Sequence, residues 1–312
     1  MKLGQAVNGV LRKLILASSG SKLARRFAAK HGLRLGASRF VAGDDLDACV
    51  VVLRGLNERG LHANTTLLGE DVLDEAEARA VTDECVTILD RLHAESLKTN
   101  LAVKLTHLGL DIDEELAYEN VERIVEHAAG LGNFVRLDME YSALVDPTLR
   151  TYRRLRGAGL ENVGTVLQSY LYRTPEDLES LLPLAPNLRL VKGAYLEPES
   201  VAYPRKADVD AAYLRLVERS LEGDGYTAIA THDERMIEHA LAFAERKGIG
   251  RDRFELQMLY GVRPQLQLDL VARGHKVLVA TPFGPEWFPF FTRRLAERPA
   301  NLLFVLRNLL RR

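Results

Sequence analysis

Between positions 62 and 284 the chain alternates eight times between a short β-type run and a helix-like stretch, which restricts its fold more than any other feature. Strands that return through crossover helices pair in parallel, and eight such units are the number that closes a (βα)8 barrel. The first run, HANTTLLGE, ends at Glu70 and precedes a helical pattern over 75–92. The second, NLAVKLTHLG, carries Lys104 and His107 before a helix over 113–129. NFVRLDMEYS brings Asp138 and Glu140, then a helix around 147–156; NVGTVLQSYL brings Gln168, then a helix opened by Thr174-Pro175-Glu176-Asp177, which has good capping chemistry. The fifth run, NLRLVKGAY, contains Arg189, Lys192 and Tyr195, and a proline-containing loop over 197–204 leads to a helix over 209–221. YTAIATHD ends at Thr231-His232-Asp233, FELQMLYG holds Gln257 and Tyr260, and KVLVATPFG closes the series.

An open doubly wound sheet is the rival fold, but no strand-to-helix turn carries GxGxxG. Gly130-Leu131-Gly132 and Gly157-Ala158-Gly159 both precede strands instead of following them, and Walker, HExxH and GxSxG motifs are absent. A length of 312 residues suits two average domains or one large barrel, and 47% apolar content is ample for a packed core. The expected organisation is an N-terminal helical segment over 1–60 packed on a barrel over 61–312, with Leu46, Cys49, Val52 and Leu56 forming one helical stripe. Net charge of −1 argues against bulk nucleic-acid binding and favours a small-molecule partner. Cys49 and Cys85 lack CxxC spacing and read as reduced core residues. No window reaches the run of about 18 apolar residues that a membrane span requires. Residues 1–43 hold basic side chains from Lys2 to Arg39 and no Asp or Glu, like an organellar transit segment. Basic amphipathic helices kept on the body, or a patch for anionic lipid, explain the same pattern, and retained helices are the reading taken.

Barrel sites form where strands end, so the polar residues above face one mouth. Lys104, Arg189, Lys192, Arg293 and Arg294 outnumber Glu70, Asp138 and Glu140 there, a balance that suits an anionic substrate, a phosphorylated cofactor or both. Each residue alone has a plainer explanation. Asp138 neutralises Lys104 across neighbouring strands, His232 is a satisfied core histidine, and Arg293 pairs with Glu297 four residues on. Together those explanations weaken, because burying several charges without a ligand costs several kcal/mol per unpaired ion. His107 and His232 lack the companions a divalent ion needs, so no metal is expected.

The segments VRLDMEYS, VLQSYLYRT, LRLVKGAYLEP, ATHD, LYGVRP and FTRRLAERPANLLFVLR resemble, in order, the monofunctional bacterial proline dehydrogenases. They are also similar to the dehydrogenase domain of the bifunctional proline-utilisation flavoenzymes, and the resemblance runs from about Arg39 to the C-terminus. It implies a distorted (βα)8 barrel holding non-covalent FAD, with the last helix as a lid over the mouth. By that resemblance Arg189 lies beside the flavin nitrogen that accepts hydride, and Gln168 bonds the isoalloxazine. Lys192, Gly193, Ala194, Thr231 and His232 run along the cofactor, and Met139 meets it through its backbone. Lys104, Arg293 and Arg294 grip the substrate carboxylate, Asp138 orients Lys104, Tyr195 and Leu259 flank the substrate, and Glu70 latches onto Arg293. The implied reaction converts L-proline to 1-pyrroline-5-carboxylate, with quinone reoxidising the flavin. Quinone use implies transient contact with the inner face of the bacterial membrane, through the basic N-terminus or the RNLLRR end, by a cytoplasmic protein.

One position departs from the resemblance. A tyrosine that walls the proline ring in the family is Ala280 here, which leaves a void and points either to hydroxyproline or another ring-substituted proline as an additional substrate, or to weaker proline binding through lost packing. The alternative to a void is that Phe283 fills the space instead. Two other readings remain: a non-redox lyase using Lys104 or Lys192 as a Schiff-base amine, and a non-catalytic flavin-binding sensor.

Overall fold

The computed structural model describes residues 37–288. Eight parallel strands close into a barrel in sequence order, β1 (His62–Leu67), β2 (Thr99–Val103), β3 (Val135–Leu137), β4 (Val163–Gln168), β5 (Asn187–Val191), β6 (Tyr226–Ala230), β7 (Phe254–Leu259) and β8 (Val277–Phe283). β8 pairs back onto β1 in parallel, with Asn64 opposite Ala280, so the sheet has no free edge. The expected (βα)8 barrel is the fold.

Helix α1 (Leu46–Asn57) precedes the barrel, and α2 (Glu75–Ala94), α3 (Glu114–Gly130), α4 (Val145–Gly157), α5 (Thr174–Leu181), α6 (Lys206–Leu221), α7 (Glu234–Lys247) and α8 (Pro264–Ala272) follow the first seven strands in turn. Asp45, Asp74, Asp113 and Asp233 begin α1, α2, α3 and α7 by accepting from first-turn amides, which satisfies donors that have no intrahelical partner. Helix α6 starts at Lys206, ahead of the 209 expected from its apolar spacing.

Two β-type runs stop early. NLAVKLTHLG leaves the sheet after Val103 for a 3-10 turn over Leu105–Leu108, and NFVRLDMEYS leaves it after Leu137. The turn bends because Thr106 donates from both its amide and its hydroxyl to Glu140. Lys104 and Asp138 therefore sit one residue beyond their strands, at the mouth. Cys49 and Cys85 are free and buried in the shell between strands and helices, the reduced-core placement expected.

The barrel interior is polar. Arg136 on β3 is 2% exposed and donates to the Thr165 carbonyl (3.1 Å), the Asn187 carbonyl (2.8 Å) and Asn187 Oδ1 (2.6 Å), which ties β3 to β4 and β5. Glu255 on β7 answers it at the same end, accepting from Tyr226 and pairing with Lys276 at 2.8 Å. The stretch before α1 adds an outer course: Ala42 donates to the Pro282 carbonyl (2.8 Å) and Gly284 to the Gly43 carbonyl (3.0 Å).

Candidate active site

A cavity of about 500 Å³ opens at the carboxyl ends of the strands, within the size range of small-molecule and cofactor sites. Lys104, Asp138, Met139, Gln168, Arg189, Lys192, Gly193, Ala194, Tyr195, Thr231, His232, Leu259 and Ala280 all line it. Glu70 stands behind this wall and pairs with Lys104. Arg293 and Arg294, and with Arg293 the partner expected for Glu70, the RNLLRR end and the N-terminal segment expected to form basic helices lie outside the described residues.

The ion pairs differ from those expected. Asp138 does not neutralise Lys104; its carboxylate pairs with Arg189 from β5, while Lys104 pairs with Glu70 at the end of the first run. The reason is reach: Arg189 points inward and its long side chain crosses the barrel, whereas Lys104 follows the end of β2, beside the loop that carries Glu70. Lys192 is also matched, to Asp210 of α6 at 2.6 Å. Among the described residues, then, each cation on the wall that the sequence singled out has its own carboxylate, and the expected cationic excess is offset there.

Arg189 is central. Its side chain is 11% exposed, one Nη pairs with Asp138, and the other donates to Asn64 Oδ1 at 3.4 Å. Its Nε is buried with no hydrogen-bond partner, and the same holds for Gln168 Oε1 and Gln257 Oε1. Gln168 Nε2 is held by the Glu140 carbonyl (3.2 Å) and Gln257 Nε2 by Glu255 (2.6 Å), so both amide oxygens are left over. Buried polar atoms ordinarily find partners, and these three come from residues that line the cavity. A flat heterocycle with both acceptor and donor edges fits them, as the flavin implied by the resemblance does.

Gly193 adds a second sign of a close-packed ligand wall. Its φ is +109°, and a Cβ there would meet the Tyr170 ring at 2.2 Å, so only glycine fits. His232 uses Nε2 to accept the Leu259 amide at 2.8 Å, so it both lines the cavity and fixes the end of β7. Tyr195 stacks at a tilt on Tyr141, with centroids 4.6 Å apart.

Beneath Lys104, burial pushes the Glu140 carboxyl up to about 7, opposed by the Lys104 charge and the Thr106 hydrogen bonds. Burial, reinforced by Lys104, pulls His107 down to about 4, so its ring is neutral at ordinary pH. Ala280 lies between Asn64 of β1 and Leu259 of β7 in register. Phe283 is 1% exposed and belongs to the hydrophobic core, away from the cavity lining, so it does not fill the space beside Ala280.

Sequence reasoning missed Asn64, Phe40 and Asp210. Asn64 had a signal: His62, Asn64 and Thr66 are polar at alternate positions of a strand, which marks one inward face. Phe40 and Asp210 had none.

Fold and cavity together define a (βα)8-barrel enzyme with a charge-lined small-molecule site. A family model described as proline dehydrogenase matches residues 50–307. The chain is 42% identical over 309 residues to proline dehydrogenase of Deinococcus radiodurans, covering 98% of this chain and 99% of that one. It is 41% identical over 300 residues to proline dehydrogenase 2 of Bacillus subtilis (strain 168), covering 96% and 99%. Among solved structures, proline utilization A (PutA) from Bdellovibrio bacteriovorus inactivated by N-propargylglycine superposes with a TM-score of 0.79 at 25% identity, over 93% of this chain and 36% of that chain. The chain belongs to the proline dehydrogenase family.

Proposed function

We propose that the protein oxidises L-proline to 1-pyrroline-5-carboxylate with non-covalent FAD, and that a quinone takes up the electrons. The observation that carries this reading is the convergence of Lys104, Gln168 and Arg189 on one cavity in a chain of this family, with the Arg189 and Gln168 atoms unpartnered on its wall. Bound FAD supplies the acceptor for the hydride that leaves the ring carbon next to the proline nitrogen, while that nitrogen gives up a proton. Lys104 binds the substrate carboxylate together with Arg293 and Arg294, and Glu70 keeps the Lys104 ammonium in place. Fixing the carboxylate at several points orients the reacting carbon, which lowers the entropic part of the barrier. Arg189 and Gln168 hold the flavin ring, Lys192, Gly193, Ala194, Thr231 and His232 line the rest of the cofactor path, and Met139 meets it through its backbone.

The lyase reading is disfavoured because Lys104 and Lys192 are both ion-paired, and a paired ammonium is not the free amine that a Schiff base requires. Ala280 supports a broader substrate range. Its neighbours in register are Asn64 and Leu259, so its methyl group stands where a larger side chain would narrow the cavity beside the substrate ring. No helix among the described residues is long and apolar enough to cross a membrane. We place the enzyme in the cytoplasm, with peripheral contact where the quinone is met.

The test is an anaerobic visible spectrum of the pure protein. A yellow flavin spectrum that bleaches on adding proline is expected. A colourless protein, or bound flavin unchanged by proline and hydroxyproline alike, overturns the proposal.

A further inference from the structure

We infer that Asn64, itself held by Asn100, is a positioning residue that fixes the guanidinium of Arg189 against the flavin and so raises the cofactor's reduction potential. The inference rests on the flavin reading above. In a closed eight-strand barrel β1 and β5 lie on opposite sides, four strands apart either way round. Arg189 therefore reaches across the axis, and its two Nη groups are anchored at different points of the wall, on Asp138 just beyond β3 and on Asn64 of β1. One anchor alone leaves a guanidinium free to pivot; two fix its plane, and with it the direction of the unpartnered Nε.

Asn64 is suited to this because its amide has one permitted orientation. It is 2% exposed, and its Nδ2 donates to Asn100 Oδ1 and lies 3.5 Å from the Asn100 carbonyl, a backbone acceptor that cannot be inverted. With the nitrogen committed to β2, the oxygen faces Arg189; a flipped amide would set donor against donor. Asn64 and Asn100 are paired in register on adjacent strands, so the support is built into the sheet. The chain of donors runs one way, from Arg189 to Asn64 to Asn100. A carbonyl in this place orients the cation without neutralising it, as a second carboxylate would.

A positive charge held against the flavin favours its anionic reduced form, so loosening that charge lowers the midpoint potential. The experiment measures the potential of the bound flavin by spectroelectrochemistry in wild type, Asn64→Leu, Asn100→Leu and the double variant, alongside unfolding in urea. Asn64→Leu is expected to lose about tenfold in the preference for reduced over oxidised flavin, which for two electrons is a drop of about 30 mV. Asn100→Leu should shift the potential in the same direction by less. The double variant should match Asn64→Leu, because Asn100 acts only through Asn64; it also replaces both amides by apolar groups, which protects folding. Unshifted potentials in folded, yellow variants overturn the inference while leaving the function intact. Additive shifts overturn the relay through Asn64. A colourless wild-type protein overturns the function and this inference with it.

Discussion

Asp138 and Arg189 form the ion pair that crosses the barrel mouth, and Asp138 passes over Lys104, the cation on the strand next to its own. Among the described residues, Arg189 with Asp138 and Lys104 with Glu70 are thereby separate electrostatic units that share no member, beside a third, Lys192 with Asp210.

That division predicts how substitutions combine. Asp138→Ala leaves a mostly buried guanidinium with only Asn64, at an expected cost of about 3 kcal/mol. In a double-mutant cycle followed by urea unfolding, Asp138 and Arg189 should couple by about 1 kcal/mol or more, and Asp138 and Lys104 by almost nothing. Coupling to Lys104 as strong as that to Arg189 would refute the pairing.

Glu140 and His107 should impose opposite pH dependences. The Glu140 carboxyl is raised from 4.5 to about 7 in the fold, so the unfolded chain releases its proton first and stability is lost as pH rises through that window. His107 is lowered from 6.5 to about 4, so the unfolded chain takes up its proton first and stability is lost as pH falls through that window. Each contribution is roughly 3 kcal/mol at full extent. Relative to wild type, Glu140→Gln should gain stability as pH rises from 4.5 to 7, and His107→Gln as pH falls from 6.5 to 4. Urea midpoints at three pH values check both signs.

Gly193→Ala should cost about 1–3 kcal/mol, because alanine is strained at positive φ and its methyl meets Tyr170. The variant is expected to be purified with less bound flavin than wild type, read from the ratio of visible to ultraviolet absorbance. Full flavin content at unchanged stability would contradict this.

Ala280→Tyr should fill the space between Asn64 and Leu259. The ratio of kcat/KM for trans-4-hydroxyproline to that for proline is expected to fall by on the order of tenfold, the discrimination available from a small packing difference. An unchanged ratio would show that Ala280 does not set substrate breadth.

The alternation of eight β-type runs with helices was enough to read the barrel, because a parallel sheet buries both faces and its strands stand out as apolar runs bounded by polar ends. Lys104, Gln168 and Arg189 were legible for the same reason, as polar residues inside or just past such runs. Their partners were not. Which carboxylate a long cation reaches depends on the direction and length of its side chain, and Arg189 selects Asp138 from β5 while Lys104 turns to Glu70. Asp210 on the first turns of α6 carries no mark in the sequence that directs it to Lys192.

The course of backbone laid along β8 ahead of α1 has a practical meaning for where the working unit begins. Phe40 lines the cavity, Arg39 donates to the Gly261 carbonyl at 3.2 Å, and Ala42 and Gly43 are stitched to the strand end that carries Ala280. A chain trimmed back to its first strand would keep every helix-strand repeat yet have a breached cavity wall on the side of Ala280. Trimming, tagging or proteolytic nicking around residues 39–43 is therefore an alteration of the candidate site, although it falls outside the barrel.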